Sequence, residues 1–204
     1  TYQYIILEIL RSNNKYGSSS EKHKKYNIEF VSANPTGPMH IGHSRGAIYG
    51  DVLANLLKFN GNTVLKEYYI NDYGNQIINF TESVFFRLRE IRFDEKFINK
   101  ENLYPGEYVV DIAKKILKDI PDIELGNFKK IFPILSEIAL KHSMTLIKDD
   151  LESLGITHDN FVSEKSLVNK NLVAKSIKYL QENKFVEEGY LNPPKGEDNK
   201  SWKK

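Results

Sequence analysis

Two histidines three positions apart, His40 and His43, stand where the chain passes from a short apolar run into a helical pattern. Imidazoles at that spacing share one face of a first helical turn, and both can donate hydrogen bonds to phosphate oxygens as negative charge builds on them. The run Ser32-Ala33-Asn34-Pro35-Thr36-Gly37-Pro38-Met39 leads into them. Pro35 and Pro38 remove two backbone donors and fix φ, while Gly37 offers a left-handed or otherwise strained conformation, so the chain must turn there. A strand, a tight turn and a helix N-terminus bring backbone N–H groups and the positive end of the helix dipole to one point, which favours a phosphate. Taken alone, two helix-terminal histidines are equally compatible with a structural or merely exposed role.

The elements that must position them follow from periodicity. Tyr26 to Val31 is β-branched and aromatic, with Ile28 and Phe30 on one face and Glu29 on the other, as a strand of a largely buried sheet requires. Helical spacing begins after His40 and continues through Leu57, with Gly61 placed as a C-terminal glycine cap. Gly42, Gly46 and Gly50 recur every four residues. Interior glycines cost a helix roughly 0.5–1 kcal/mol each relative to alanine, so the stripe implies close approach to the sheet or to a nucleotide. Thr63 to Ile70 alternates as a second strand, reached by a right-handed crossover, which completes a βαβ unit. Asn71-Asp72-Tyr73-Gly74-Asn75 then follows the strand's carboxyl end, where open α/β sheets bind ligands, although such a run is also an ordinary turn with a helix N-cap.

Further along, helices are predicted from Asn75 to Arg92 (burying Ile77, Ile78, Val84, Phe85 and Leu88), after Tyr104-Pro105-Gly106 to Lys118, and from Pro133 to Leu154 with Ile134 and Leu135 among its inward residues. Ile156 to Val162 reads as a third strand, Leu167 to Asn183 as one amphipathic helix, and Phe185 to Tyr190 as a short strand before a polar end from Leu191. Thr1 to Ser12 reads as a helix. The basic cluster Lys22, His23, Lys24 and Lys25 suits an exposed loop or a contact with RNA phosphate.

Composition excludes several classes. The chain has 204 residues, 40% hydrophobic and 27% charged, enough to bury one real core. A formal net charge of +2 does not argue for nucleic-acid binding by itself. Without cysteine there are no disulfides, thiolate metal sites or cysteine nucleophiles, and a zinc site built on His40 and His43 lacks a third ligand. No run of some eighteen apolar residues suggests a membrane span, and the polar end without a closing element suggests a piece of something longer.

At Ser32 to His43, followed by Ser44-Arg45-Gly46-Ala47, the sequence resembles the HIGH-signature region of class I aminoacyl-tRNA synthetases. With Glu67 to Ile77 included, the whole run from Val31 resembles the arginyl-tRNA synthetases in particular. The resemblance implies an α/β fold: the first half of a Rossmann-like parallel sheet, interrupted by mainly helical insertions. It divides the chain into an N-terminal helix and linker (1–23), a βαβ unit with the signature (24–75), a helical insertion (76–140), a return to the sheet (141–166) and the start of a second insertion (167–204). It implies ATP, brought with Mg2+, at Pro38, His40, Gly42, His43 and Gly46, with His40 and His43 catalytic. L-arginine is implied at Glu29, Ser32 and Asn34: Asn34 on the amino-acid backbone and Glu29 on the guanidinium, a surface carboxylate being the alternative for Glu29. Tyr69, Asn71, Asp72 and Gln76 match the family near the site without individual roles. Transfer to tRNA-Arg, a cytoplasmic monomer, no tightly bound cofactor, no metal site of its own and an inactive fragment complete the expectation. Lys141-His142-Ser143-Met144-Thr145 resembles the second class I signature only superficially, since it lies within a helical pattern and reads as core and surface. A nucleotidylyltransferase with a His-x-Gly-His turn and a non-enzymatic RNA-binding module are the alternatives.

Overall fold

The β-branched and aromatic residues of Thr63–Ile70 form the central strand of a three-stranded parallel sheet in this computed structural model, which describes residues 2–19, 23–187 and 189. The strands are β1 (Lys25–Glu29), β2 (Thr63–Ile70) and β3 (Asn160–Ser163), in the order β1-β2-β3. Lys25 pairs with Thr63 and Glu29 with Glu67 on one side of β2, and Glu67 pairs with Asn160 on the other. Side chains tie the three strands together at Glu67, which accepts from Asn27 Nδ2 at 3.1 Å and Asn160 Nδ2 at 2.7 Å. The helices are α1 (Tyr2–Ser12), α2 (Ile41–Phe59), α3 (Asn75–Phe93), α4 (Glu107–Asp119), α5 (Phe128–Ser153), α6 (Glu164–Asn169) and α7 (Leu172–Glu182). The result is the α/β fold with a parallel sheet and mainly helical additions that the sequence implies.

The chain divides into two compact units, residues 1–165 and 166–204. The first holds two apolar clusters. One joins the sheet to α2 and α5 through Phe30, Ala47, Tyr68, Met144, Ile147 and Leu151, with Ile156 beside them. The other lies among α3, α4 and α5, with Phe80, Leu88, Ile112, Ile116 and Leu135 fully buried. α2 is fixed to β2 by a buried ion pair as well, Lys66 Nζ to Asp51 Oδ1 at 2.5 Å. Gly61 adopts φ +81 just past α2, as a helix-ending glycine should.

Several boundaries differ from the sequence expectation. β1 spans Lys25–Glu29, because Val31 and Ser32 take left-handed φ values of +67 and +40 and end the pairing. β3 begins only at Asn160: Asp159 first bridges Lys66, its N–H donating to Lys66 O and its carboxylate accepting from Lys66 N. α5 starts at Phe128 rather than Pro133, because the Asn127 side chain caps it by accepting from Lys130 N, and Pro133 lies inside it. Ile134 and Ile78 face solvent rather than the core. The single helix expected over 167–183 is two, broken at Lys170-Asn171, where Asn171 takes φ +55. Asparagine tolerates that left-handed conformation better than most residues. Phe185 to Glu187 form no strand, and the rest of that expected strand, with the segment from Leu191, lies largely outside the described residues. Among the described residues, no helix is long and apolar enough to cross a membrane.

Candidate active site

β1 ends at Glu29 opposite Glu67, while β2 and β3 run on together to Ile70 and Ser163, and every sequence-predicted site residue lies at or beyond one of these carboxyl ends or on the helix that follows. At the end of β1 the ladder finishes with Phe30 N donating to Glu67 O. Val31 then forms a γ-turn, with Ser32 N donating to Phe30 O, a strained conformation for a β-branched residue. This bend turns the Ser32 hydroxyl back onto the sheet edge. It accepts from Tyr69 N at 3.0 Å, replacing the missing ladder acceptor, and donates to Glu29 Oε1 at 2.7 Å. Asn34 Oδ1 accepts from Asn71 Nδ2 at 3.0 Å, which joins the β1 and β2 exits.

The two histidines cap α2 reciprocally. Gly42 N donates to His40 Nδ1 at 3.1 Å, and His40 N donates to His43 Nδ1 at 3.3 Å. The rings stack with centroids 3.7 Å apart. Because each Nδ1 accepts, each Nε2 carries the proton and is the donor the ring offers to a ligand. Burial, with the neighbouring His40 ring second, holds the His43 pKa below the ordinary 6.5, which keeps it in that neutral form. Two N–H donors at a helix N-terminus are the arrangement an anion takes.

The three glycines of the stripe meet three different surroundings. A Cβ on Gly50 would lie 2.3 Å from the Phe30 ring, so this glycine lets α2 reach the sheet. One on Gly42 would press the His40 ring at 3.0 Å, whereas Gly46 meets nothing within 4 Å and faces outward with exposed Arg45. Gly37 differs from the expectation: it does not take a left-handed φ, and it is small because the Tyr108 ring lies against it, 3.1 Å from where a Cβ would sit. Pro38 is exposed beside it, and Gln76 is exposed in the first turn of α3.

A second chemical environment surrounds Tyr69. Burial raises its pKa, and the charges of Glu164, Asp72 and Glu29 raise it further. Asp72 uses both oxygens: Oδ2 accepts from Ser163 Oγ at 2.6 Å and Oδ1 from Lys165 N at 2.8 Å. It thereby holds the residues on either side of Glu164. Glu164 Oε2 is buried and has no hydrogen-bond partner among the described residues. A buried carboxylate oxygen left in that state is stabilised by a cationic donor. Sequence reasoning gave Glu164 no role; the available signal was its place immediately after a strand's carboxyl end. Of the other histidines, His158 packs on Phe30 with centroids 4.2 Å apart and bonds Phe30 O, while His142 pairs with Asp119 at 3.4 Å, so both are structural.

Comparison with known proteins agrees with this fold. Residues 5–103 match the model of the family described as tRNA synthetases class I (R), catalytic domain. The chain is 52% identical over 200 residues to an arginine--tRNA ligase of Pelagibacter ubique, covering 97% of this chain and 35% of that one. It is 46% identical over 195 residues to the arginine--tRNA ligase of Anaplasma phagocytophilum, covering 95% and 33%. A Campylobacter jejuni crystal structure described as an arginyl-tRNA synthetase superposes with a TM-score of 0.81 at 34% identity, over 91% of this chain and 40% of that one. The chain therefore spans about a third of the length of the curated relatives it matches. The chain is thus similar over nearly its whole length to part of the arginyl-tRNA synthetases, and its first half carries the match to the class I tRNA synthetase catalytic domain.

Proposed function

We propose that this chain supplies the ATP- and arginine-binding half of an enzyme that activates L-arginine with ATP and transfers it to tRNA-Arg. What supports the reading is that His40 and His43 cap the N-terminus of α2 beyond β1, while Glu29 held by Ser32, Asp72 bonded to Ser163 and Lys165, and Glu164 Oε2, unpartnered among the described residues, lie at the ends of the strands. In arginine activation the substrate carboxylate attacks the α-phosphorus of ATP and pyrophosphate leaves, with no covalent enzyme intermediate. Catalysis is then positioning plus stabilisation of charge on the phosphate oxygens. The Nε2–H groups of His40 and His43 and the N-terminus of α2 face that charge, with Pro38 and outward-facing Gly46 bounding the nucleotide and Gly42 admitting the His40 ring. Mg2+ arrives on the ATP phosphates; the donors at this helix end are N–H groups, which suit the anion rather than the metal.

On the other side, Glu164 and Glu29 take the guanidinium, whose planar fork matches carboxylates, and Asp72 holds Glu164 in place. Asn34, tied to Asn71, holds the amino-acid backbone, with Ser32 fixing Glu29. The protein works as a monomer in the cytoplasm, where translation proceeds. The test is ATP-pyrophosphate exchange by the full-length protein, screened with every amino acid in the presence of cognate tRNA. Arginine alone should support exchange, and His40→Ala and His43→Ala should each lower kcat on the order of a hundredfold while arginine binding changes little. Exchange driven best by another amino acid, or wild-type rates in both variants, rejects the reading.

A further inference from the structure

The turn that carries the histidines is held from outside the sheet by two helices. The Tyr108 hydroxyl of α4 donates to Thr36 O at 2.9 Å, and Asp150 Oδ2 of α5 accepts from Met39 N at 3.0 Å. Tyr68 of β2 makes the third hold, to Ala33 O at 2.8 Å. Backbone groups at 33, 36 and 39 are thus pinned at three-residue intervals, and the next residue, His40, is the N-cap of α2. Two of the three pins come from helices beyond the βαβ unit.

Tyr108 reaches the turn because two glycines make room for it. A Cβ on Gly37 would stand 3.1 Å from Tyr108 Cζ, and one on Gly106 would stand 2.5 Å from Cε1. No larger residue at Gly106 is compatible with the ring's place, since real Cβ atoms do not approach so closely. Burial, with the neighbouring Tyr104 second, lifts the Tyr108 hydroxyl to about 12, so it remains a donor throughout the neutral range. Thr36 is buried, and a buried carbonyl that loses its donor is destabilised by its full desolvation.

We propose that Tyr108, supported by Asp150, is a positioning residue for His40 and His43: it touches no substrate, and it sets the path of residues 36–39 and hence where the two imidazoles stand. This rests on the reading that the turn takes the phosphates of ATP. The hold is rigid, because it joins a backbone carbonyl to a ring wedged between two glycines.

The variants belong in the full-length protein. Tyr108→Phe keeps the ring in its slot and deletes only the donor. Asp150→Ala deletes the second hold, Asp150→Asn retains an acceptor oxygen, and Tyr104→Phe removes the same group from a neighbouring tyrosine as a control. Two readouts are needed: equilibrium binding of ATP without amino acid, and ATP-pyrophosphate exchange with arginine. Tyr108→Phe and Asp150→Ala should each weaken ATP binding and lower kcat/KM for ATP about fivefold, with KM for arginine held within about twofold, Asp150→Asn milder and Tyr104→Phe at wild-type values. Unchanged ATP binding and kcat/KM in Tyr108→Phe overturns the proposal. So does an equal loss toward ATP and arginine, which marks a loosened fold. A wild-type protein that binds ATP yet exchanges with no amino acid sinks the activity reading and leaves positioning to be judged on ATP binding alone. Failure of the wild type to bind ATP rejects both.

Discussion

The proton on His43 decides what the turn can do. Its Nδ1 must accept from His40 N to complete the cap, and burial lowers its pKa to keep it neutral. Burial likewise lowers His158, which lies between Phe30 and Tyr68, and His142 beside Asp119. For each, the unfolded chain binds a proton more readily than the folded one. Stability is therefore present above the unfolded value and is lost as pH falls through the folded values. We expect the thermal midpoint to drop between about pH 7.5 and about pH 5.5, and to drop less in His43→Gln, whose amide oxygen accepts without titrating. A flat or rising midpoint over that interval contradicts the assignment. At the cation end, Glu164→Gln should raise KM for arginine about ten- to a hundredfold with KM for ATP little changed, and Asp72→Asn, which loses one of two holds, about fivefold. Equal effects on both substrates in the exchange assay argue against a guanidinium partner. His40 and His43 were legible because their relation is three residues long. Glu164 was not, because its relation to Tyr69 crosses 95 residues of chain and exists only once β3 lies beside β2.

Among the elements, α2 carries the sharpest contrast. Its glycines looked alike in sequence, all implying close approach, yet Gly50 meets Phe30 and Gly46 meets nothing. Gly50→Ala should therefore destabilise the protein by about 1–3 kcal/mol, because a methyl at 2.3 Å from a buried ring forces α2 off the sheet. Gly46→Ala should stabilise it by roughly 0.5–1 kcal/mol by the helix preference of alanine, and in the full-length protein should weaken ATP binding. Denaturant unfolding separates the two by sign; destabilisation by both would mean that Gly46 is covered. Strand positions were read well where alternation is strong, as in β2, whose bounds agree with the expectation. They were read poorly where a side chain ends the pairing, as Asp159 does before β3 and as Ser32 does after β1. The break at Asn171 was hidden for a related reason. The apolar spacing continues across it, and only backbone conformation shows the interruption.

In the molecule as a whole, the first unit joins two cores through α5, whose one end packs among α3 and α4 and whose other end covers the sheet. That continuity gives Asp150 a firm base from which to hold the turn. Charge on a transferring phosphate needs donors on more than one side, and the donors proposed above all belong to the N-terminus of α2. We therefore expect this chain alone to activate arginine far more slowly than the full-length protein, measured by exchange at matched concentrations; comparable turnover would show that the strand ends and α2 suffice. The sequence by itself determined the strand, turn and helix around His40 and the parallel βαβ unit, because proline, glycine, capping and periodicity act over a few residues. Only the tertiary structure decided that Gly37 is small for Tyr108, that Asp72 steadies Glu164, and that helices beyond the βαβ unit hold the signature turn. Those relations are contacts between distant segments, and a local pattern does not encode which ring or carboxylate packing will bring against it.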